Sequence, residues 1–284
     1  MKNFDLVTGL NFLLEALYYD GFTTGNKILF DYLPTYPRKF KANMAGVIKV
    51  FEYCAKTFLY STRNTKLTIS FKLTNYTKEM VYFRVNFKID QKLDRLNENY
   101  LKIARTAASE LKVSMLIARD EITLDFGMGL TQNSVEPLGL KSEDIKKYKA
   151  VIAYSDDEGF KILTNQLKNI GIDVKPKHDF AVLKMHIEDK IYRPNLVFLY
   201  KKIIDNRVEF EQILEYKKIK GFSIIAICDN DDFLDDKIKN DVIILRQPYT
   251  YDVICAVLNM AYMMQTNAEN MGGGSRNYVL KMLR

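Results

Sequence analysis

Residues 149–176 read KAVIAYSDDEGFKILTNQLKNIGIDVKP, and they change period twice. KAVIAY (149–154) is apolar without alternation, as a strand covered on both faces must be. EGFKILTNQLKNIG (158–171) spaces its apolar residues along one side of a helix, and IDVKP (172–176) returns to strand. The exchange continues through DFAVLKMHIED (179–189), NLVFLY (195–200), a helix near RVEFEQILEYKKIKG (207–221), FSIIAIC (222–228), a short polar helix near Asp232 to Lys239, DVIIL (241–245) and a last helix, YDVICAVLNMAYMM (251–264). Five strand–helix units in succession predict a parallel sheet with helices on both faces.

Upstream the pattern differs. A helix is expected near Leu6 to Tyr19, a strand near Lys27 to Leu33 and a helix near Ala45 to Leu59. Two alternating strands follow, KLTISFKLT (66–74) and MVYFRVNFKI (80–89), each with one buried and one wet face. A helix over 96–112 leads into VSMLIARDEITLDFGM (113–128), in which ARDE reads as a hairpin turn. Helices on one face of a mixed sheet are the simplest assembly. Gly, Pro, Asn and Ser collect without periodicity between Thr131 and Ser142, which sets a first domain over 1–132, a linker over 133–147, a second domain over 148–266 and a flexible tail over 267–284.

A chain of 284 residues fits two cores better than one, and 48% hydrophobic residues exclude a disordered chain. No apolar run approaches the roughly 20 residues of a membrane span, and the opening MKNFDLVTGL lacks a signal-peptide profile, so a cytoplasmic location is expected. Cys54, Cys228 and Cys255 lie far apart among apolar residues and are expected as reduced core thiols. The net charge of +7 is spread thinly: 19 basic against 14 acidic residues up to position 140, and 23 against 21 beyond it. Basic clusters such as Lys217, Lys218 and Lys220 have acids nearby, so solvated helix faces are expected and nucleic acid is not.

The order of elements resembles a known pair of domains. FDLVTGLNFLLEAL (4–17), KILFDYLPTYPRKFKAN (27–43), VIKVFEYCAKTFLYST (47–62) and LKIARTAASELKVSMLIARDEITLDF (101–126) are similar in pattern and order to the ATP-binding catalytic domain of sensor histidine kinases. Residues 148–266 resemble the receiver domain that follows it in hybrid kinases. The resemblance implies a histidine-kinase-type α/β sandwich followed by a flavodoxin-like, five-stranded parallel receiver fold.

The chemistry that the resemblance implies is missing position by position. Where the family holds magnesium and phosphate with two asparagines on one helix, this chain has Lys49 and Tyr53. Phe87, Lys88 and Ile89 stand where the family contacts adenine, and Glu98, Asn99 and Tyr100 where its glycine-rich box opens a helix; the lid between Asp90 and Asn97 is short. Independently, no glycine occurs between Gly46 and Gly127, although backbone that closely approaches a phosphate favours glycine. In the receiver-like half, Tyr200 takes the place of the phosphoaccepting aspartate and Tyr154 and Ser155 that of the acidic pair, with Asp156 and Asp157 one residue on. Cys228 replaces the hydroxyl residue, Gln247 before Pro248 the lysine, and Ile244 the switch aromatic. No cofactor is expected.

His178 and His186 are expected as surface histidines, and NDDFLDD (230–236) as a capped acidic helix start, since it lacks the glycine and final glutamate of an EF-hand. Gly272 to Ser275 precede no Lys-Ser/Thr pair and belong to the tail, while Met260, Met263 and Met264 are expected in the core. Phe233, Ile244, Tyr249 and Tyr251 mark the face through which receivers meet partners, the three aromatics as exposed anchors. The expected function is that of a non-catalytic two-component protein, not an enzyme, that docks to another kinase or response regulator or to itself. The alternative is a residual ATP-binding hybrid kinase or a phosphate-accepting receiver.

Overall fold

The computed structural model describes residues 2–131, 134, 137–177, 180–230 and 232–270, and their contacts divide them into two compact units. Unit 1 is Met1–Pro137 together with Asp229–Asp231 and Gln247–Asp252; unit 2 is Leu138–Cys228, Asp232–Arg246 and Val253–Arg284.

In unit 1 the order is β1 (Lys2–Asp5), α1 (Leu6–Thr24), β2 (Lys27–Asp31), β3 (Lys39–Ala42), α2 (Met44–Leu59), β4 (Lys66–Tyr76), β5 (Met80–Ile89), α3 (Glu98–Glu110), β6 (Ser114–Ile117) and β7 (Glu121–Leu130). The strands form a sheet in the order β1-β3-β7-β5-β4-β2, with β6 on β7; β2 and β4 run parallel and the other pairs antiparallel. Side-chain alternation sets the register: Ile69, Phe87 and Ile122 stand abreast on β4, β5 and β7, as do Phe71, Val85 and Leu124, all buried. Phe51 of α2 fills the centre, 5.5 Å from Phe71 and 5.6 Å from Phe126 between ring centroids. The opposite face is wet, and there Arg84 grips its cross-strand partner Asp125 with two hydrogen bonds of 2.8 and 2.9 Å.

Helix α1 runs beyond the expected end at Tyr19, because Gly25 supplies the left-handed cap (φ 72°) that stops it. The hairpin turn forms as expected, with Ala118 N donating to Glu121 O at 2.7 Å. Strands β1 and β3 were not anticipated. Four residues each show no period, and they become strands by pairing with one another and, through β3, with β7.

Unit 2 opens with a 3-10 turn (Glu143–Lys147) and continues β8 (Lys149–Ala153), α4 (Asp157–Ile170), β9 (Asp173–Lys177), α5 (Phe180–Glu188), β10 (Leu196–Tyr200), α6 (Lys201–Asp205), α7 (Arg207–Lys220), β11 (Ser223–Cys228), α8 (Asp236–Lys239), β12 (Val242–Arg246) and α9 (Tyr251–Asn270), whose first two residues group with unit 1. Its five described strands are all parallel in the order β12-β11-β10-β8-β9, the doubly wound 2-1-3-4-5 arrangement of the flavodoxin-like fold. Val151, Val197, Leu199, Ile224 and Ala226 pack with Leu183 of α5 and Phe210 and Ile213 of α7. The alternate strand positions Ile152, Phe198, Ile225 and Leu245 are equally buried, which leaves the other face to Leu163 and Leu167 of α4 and Ile254 and Leu258 of α9. Helix α6 escaped the sequence reading because its five residues carry too little period.

Cys54, Cys228 and Cys255 are buried free thiols, and burial pushes the Cys54 thiol far above its ordinary range. Met260 and Met263 correct an expectation: they are 38% and 41% exposed, because Ile254, Leu258 and Ala261 take the inward face of α9. His186 is partly buried, with its ring 6.2 Å from that of Tyr192. His178 and residues 272–275 lie outside the described residues. Among the described residues, no helix is long and apolar enough to cross a membrane, and no His, Cys, Asp and Glu gather as metal ligands.

Candidate functional site

In a doubly wound sheet, ligands bind at the carboxyl ends of the strands. In unit 2 those ends carry Tyr154 after β8, Tyr200 on β10 and Cys228 on β11, all buried. The rings of Tyr154 and Tyr200 lie 4.9 Å apart and tilted by 38°, an aromatic pair in the offset range. Ser155 is exposed. Asp156 caps α4, one carboxylate oxygen accepting from Glu158 N at 3.1 Å and Gly159 N at 2.9 Å, and Asp157 is the first helical residue. The acid next in line thus serves the helix start.

Lys201 follows Tyr200 directly and was missed by sequence reasoning. Its ammonium pairs with Asp205 at 2.7 Å and reaches Asp232 at 4.0 Å. Burial pulls its pKa down, but the hydrogen bond to Asp205 and the charges of Asp205 and Asp232 more than offset this, leaving it above the usual lysine value. Gln247 follows β12, is buried, and joins Pro248 by a cis peptide bond. A phenol at position 200 cannot form the acyl phosphate that an aspartate forms.

In unit 1, the positions expected to have lost the nucleotide chemistry fall into two groups. Phe87 and Ile89 of β5 are core residues, with Phe87 6.0 Å from Phe51. Lys49 and Glu98 are exposed on α2 and α3. Between these helices Tyr53 and Tyr100 meet at 6.0 Å, and Tyr60, which the sequence did not single out, packs at a tilt against Tyr100 at 5.0 Å. Asn97 holds the start of α3 by accepting from Tyr100 N at 3.4 Å, and its own amide donates to Ser61 Oγ at 2.8 Å. Lys56 completes the cluster, 2.6 Å from Glu52, 3.6 Å from Asp20 and 5.8 Å from the Tyr53 ring centroid. Tyr60 donates to Asp20 at 2.6 Å, and that bond, with some burial, pushes its pKa up to about 12. Three aromatic rings and one internal cation therefore cluster beside α2 and α3.

The expected docking aromatics divide. Phe233 stands 79% exposed, whereas Tyr249 and Tyr251 are buried, correcting the expectation. Their segment, Gln247–Asp252, belongs to unit 1, where Tyr251 stacks on Tyr32 with centroids 6.4 Å apart at 19°. Burial raises the pKa of the Tyr249 phenol. Ile244 is partly buried against the core of unit 2.

No protein-family model and no curated protein matches the chain. Among solved structures, full-length ShkA in complex with AMPPNP superposes on 92% of this chain with a TM-score of 0.62 at 11% identity, and the chain spans 57% of ShkA's length. The catalytic domain of histidine kinase ThkA is matched over 45% of this chain and 95% of its own (TM-score 0.33, 11% identity). The PhyR stress response regulator is matched over 43% of this chain and 48% of its own (TM-score 0.35, 10% identity). The fold is that of a histidine-kinase-like unit followed by a receiver-like unit.

Proposed function

We propose that this chain is a cytoplasmic two-component signalling protein that works without phosphotransfer, its kinase-like and receiver-like units serving as docking modules for another kinase or response regulator or for a second copy. The observation that carries this is the buried Tyr154–Tyr200 pair at the strand ends, where a receiver needs carboxylates for magnesium and for the phosphoryl group. In unit 1, Phe87 in the core and the Tyr53–Tyr100 pair support the same reading for nucleotide. Of the three aromatics expected at the docking face, Phe233 is the exposed one; Phe233→Ser should abolish association with a partner kinase, regulator or second copy and leave the melting temperature unchanged.

The test is direct. After incubation with magnesium and acetyl phosphate the intact mass should be unchanged, and calorimetry with magnesium and ATP at millimolar concentration should give no heat of binding. Added phosphate on Asp156 or Asp157, or micromolar ATP affinity, would overturn the reading. The second reading, a residual nucleotide-binding kinase, takes its support from the AMPPNP carried by ShkA, and the same calorimetry separates the two.

A further inference from the structure

Gly159 occupies the first turn of α4, where glycine is a poor helix former, and it is not among the glycines of positive φ, which are Gly25, Gly171 and Gly221 among the described residues. Conformational freedom therefore does not account for it. Space does: a Cβ built there would lie 2.5 Å from Oη, 2.7 Å from Cζ and 2.8 Å from Cε1 of Tyr154. That ring has little freedom to retreat, being buried and packed at a tilt against the Tyr200 ring, with centroids 4.9 Å apart. The helix start is held as well, because Gly159 N donates to the capping carboxylate of Asp156. Ring and missing methyl are complementary surfaces.

We infer that Tyr154, seated on Gly159 and against Tyr200, is a built-in plug that closes the strand-end pocket of unit 2 and holds the segment 154–159 in one arrangement without any ligand. The inference rests on the proposed reading that unit 2 takes no phosphoryl group, and adds what replaces it: an internal phenol wedged between β10 and the first turn of α4. Phosphorylation of a receiver settles this region from outside; here packing settles it permanently.

A double-mutant cycle on the full chain tests the plug through the sign of one effect. Gly159→Ala should lower the melting temperature of the wild-type protein by roughly 2–4 °C or more, since the methyl collides with the ring. In a Tyr154→Ala background the same substitution should raise it, since the collision is gone and alanine favours helix. Tyr154→Leu, which withdraws the ring tip but keeps apolar volume, supplies the second background if Tyr154→Ala does not fold. A Gly159→Ala effect of the same sign in both backgrounds overturns the plug. Amide exchange over residues 154–160, measured with and without magnesium and beryllofluoride, keeps the two ideas apart. Slowed exchange in the wild-type protein would refute the proposed function, whereas unchanged exchange with no sign inversion would refute the plug alone.

Discussion

The two units set their tyrosine clusters in different surroundings. In unit 2 the surroundings are dry: Tyr154, Tyr200 and Cys228 are buried at the strand ends, and one ring is seated in the gap that a glycine leaves. In unit 1 the surroundings are half wet, with Tyr53, Tyr60 and Tyr100 around a lysine that is paired to two carboxylates. A side chain in a dry pocket carries the packing of everything around it, whereas one on a wet cluster can be lost to water at little cost. Tyrosines at comparable positions are thus woven into stability in one unit and remain nearly separate from it in the other.

The largest expected effect sharpens that contrast. Tyr200→Ala should cost about 3 kcal/mol or more in denaturant unfolding, as a truncated buried aromatic does, while Tyr100→Ala should cost about 1 kcal/mol. Equal losses would break the comparison. Next, Tyr200→Asp should also destabilise, by putting a carboxylate where the structure supplies a ring as neighbour, and should still gain no mass with acetyl phosphate while Tyr154 stays in place.

A pH experiment probes the wet cluster. The pKa of Tyr60 stands at about 12 against an ordinary 10.0, so the folded state holds the phenolic proton more tightly than the unfolded chain. Its contribution to stability is therefore complete below pH 10 and disappears as pH rises through 12. Tyr60→Phe should flatten that part of the alkaline stability profile, and an unchanged profile would show that the bond to Asp20 has no weight. The smallest effect belongs to the open sheet face of unit 1. Arg84→Ala should leave the melting temperature unresolved from wild type, yet let the Asp125 carboxyl, held low chiefly by its hydrogen bond to Arg84, return toward its normal value in a carbon-detected titration.

How far the sequence could be read follows from the range of each interaction. The alternation of MVYFRVNFKI became β5 residue for residue, because one wet face writes a period of two into the chain. The central parallel strands were legible for the opposite reason, their interiors being apolar without alternation. Tyr154 and Tyr200 could be singled out because their positions at the strand ends follow from the fold class and their side chains are not the carboxylates that the resemblance implies there. Gly159 could not, since an isolated glycine in an amphipathic helix says nothing of the ring above it. Nor could the cluster at Tyr60, whose partners Asp20 and Tyr100 lie 40 residues away on either side and meet only after α1, α2 and α3 pack. Tyr249 and Tyr251 failed differently: aromatic residues look alike in sequence whether exposed or buried, and only their grouping with unit 1 decides it.

The cysteines give the molecule a pair of internal clocks. Cys54 sits in the core of unit 1, Cys228 and Cys255 in that of unit 2, all sealed from solvent. A thiol so enclosed meets an alkylating reagent only when its surroundings open, so the labelling rate of each cysteine, read separately by peptide mass, times the opening of its own unit. Whether the two units breathe together or independently is thereby written in the chain's own sulfur, without a single introduced probe.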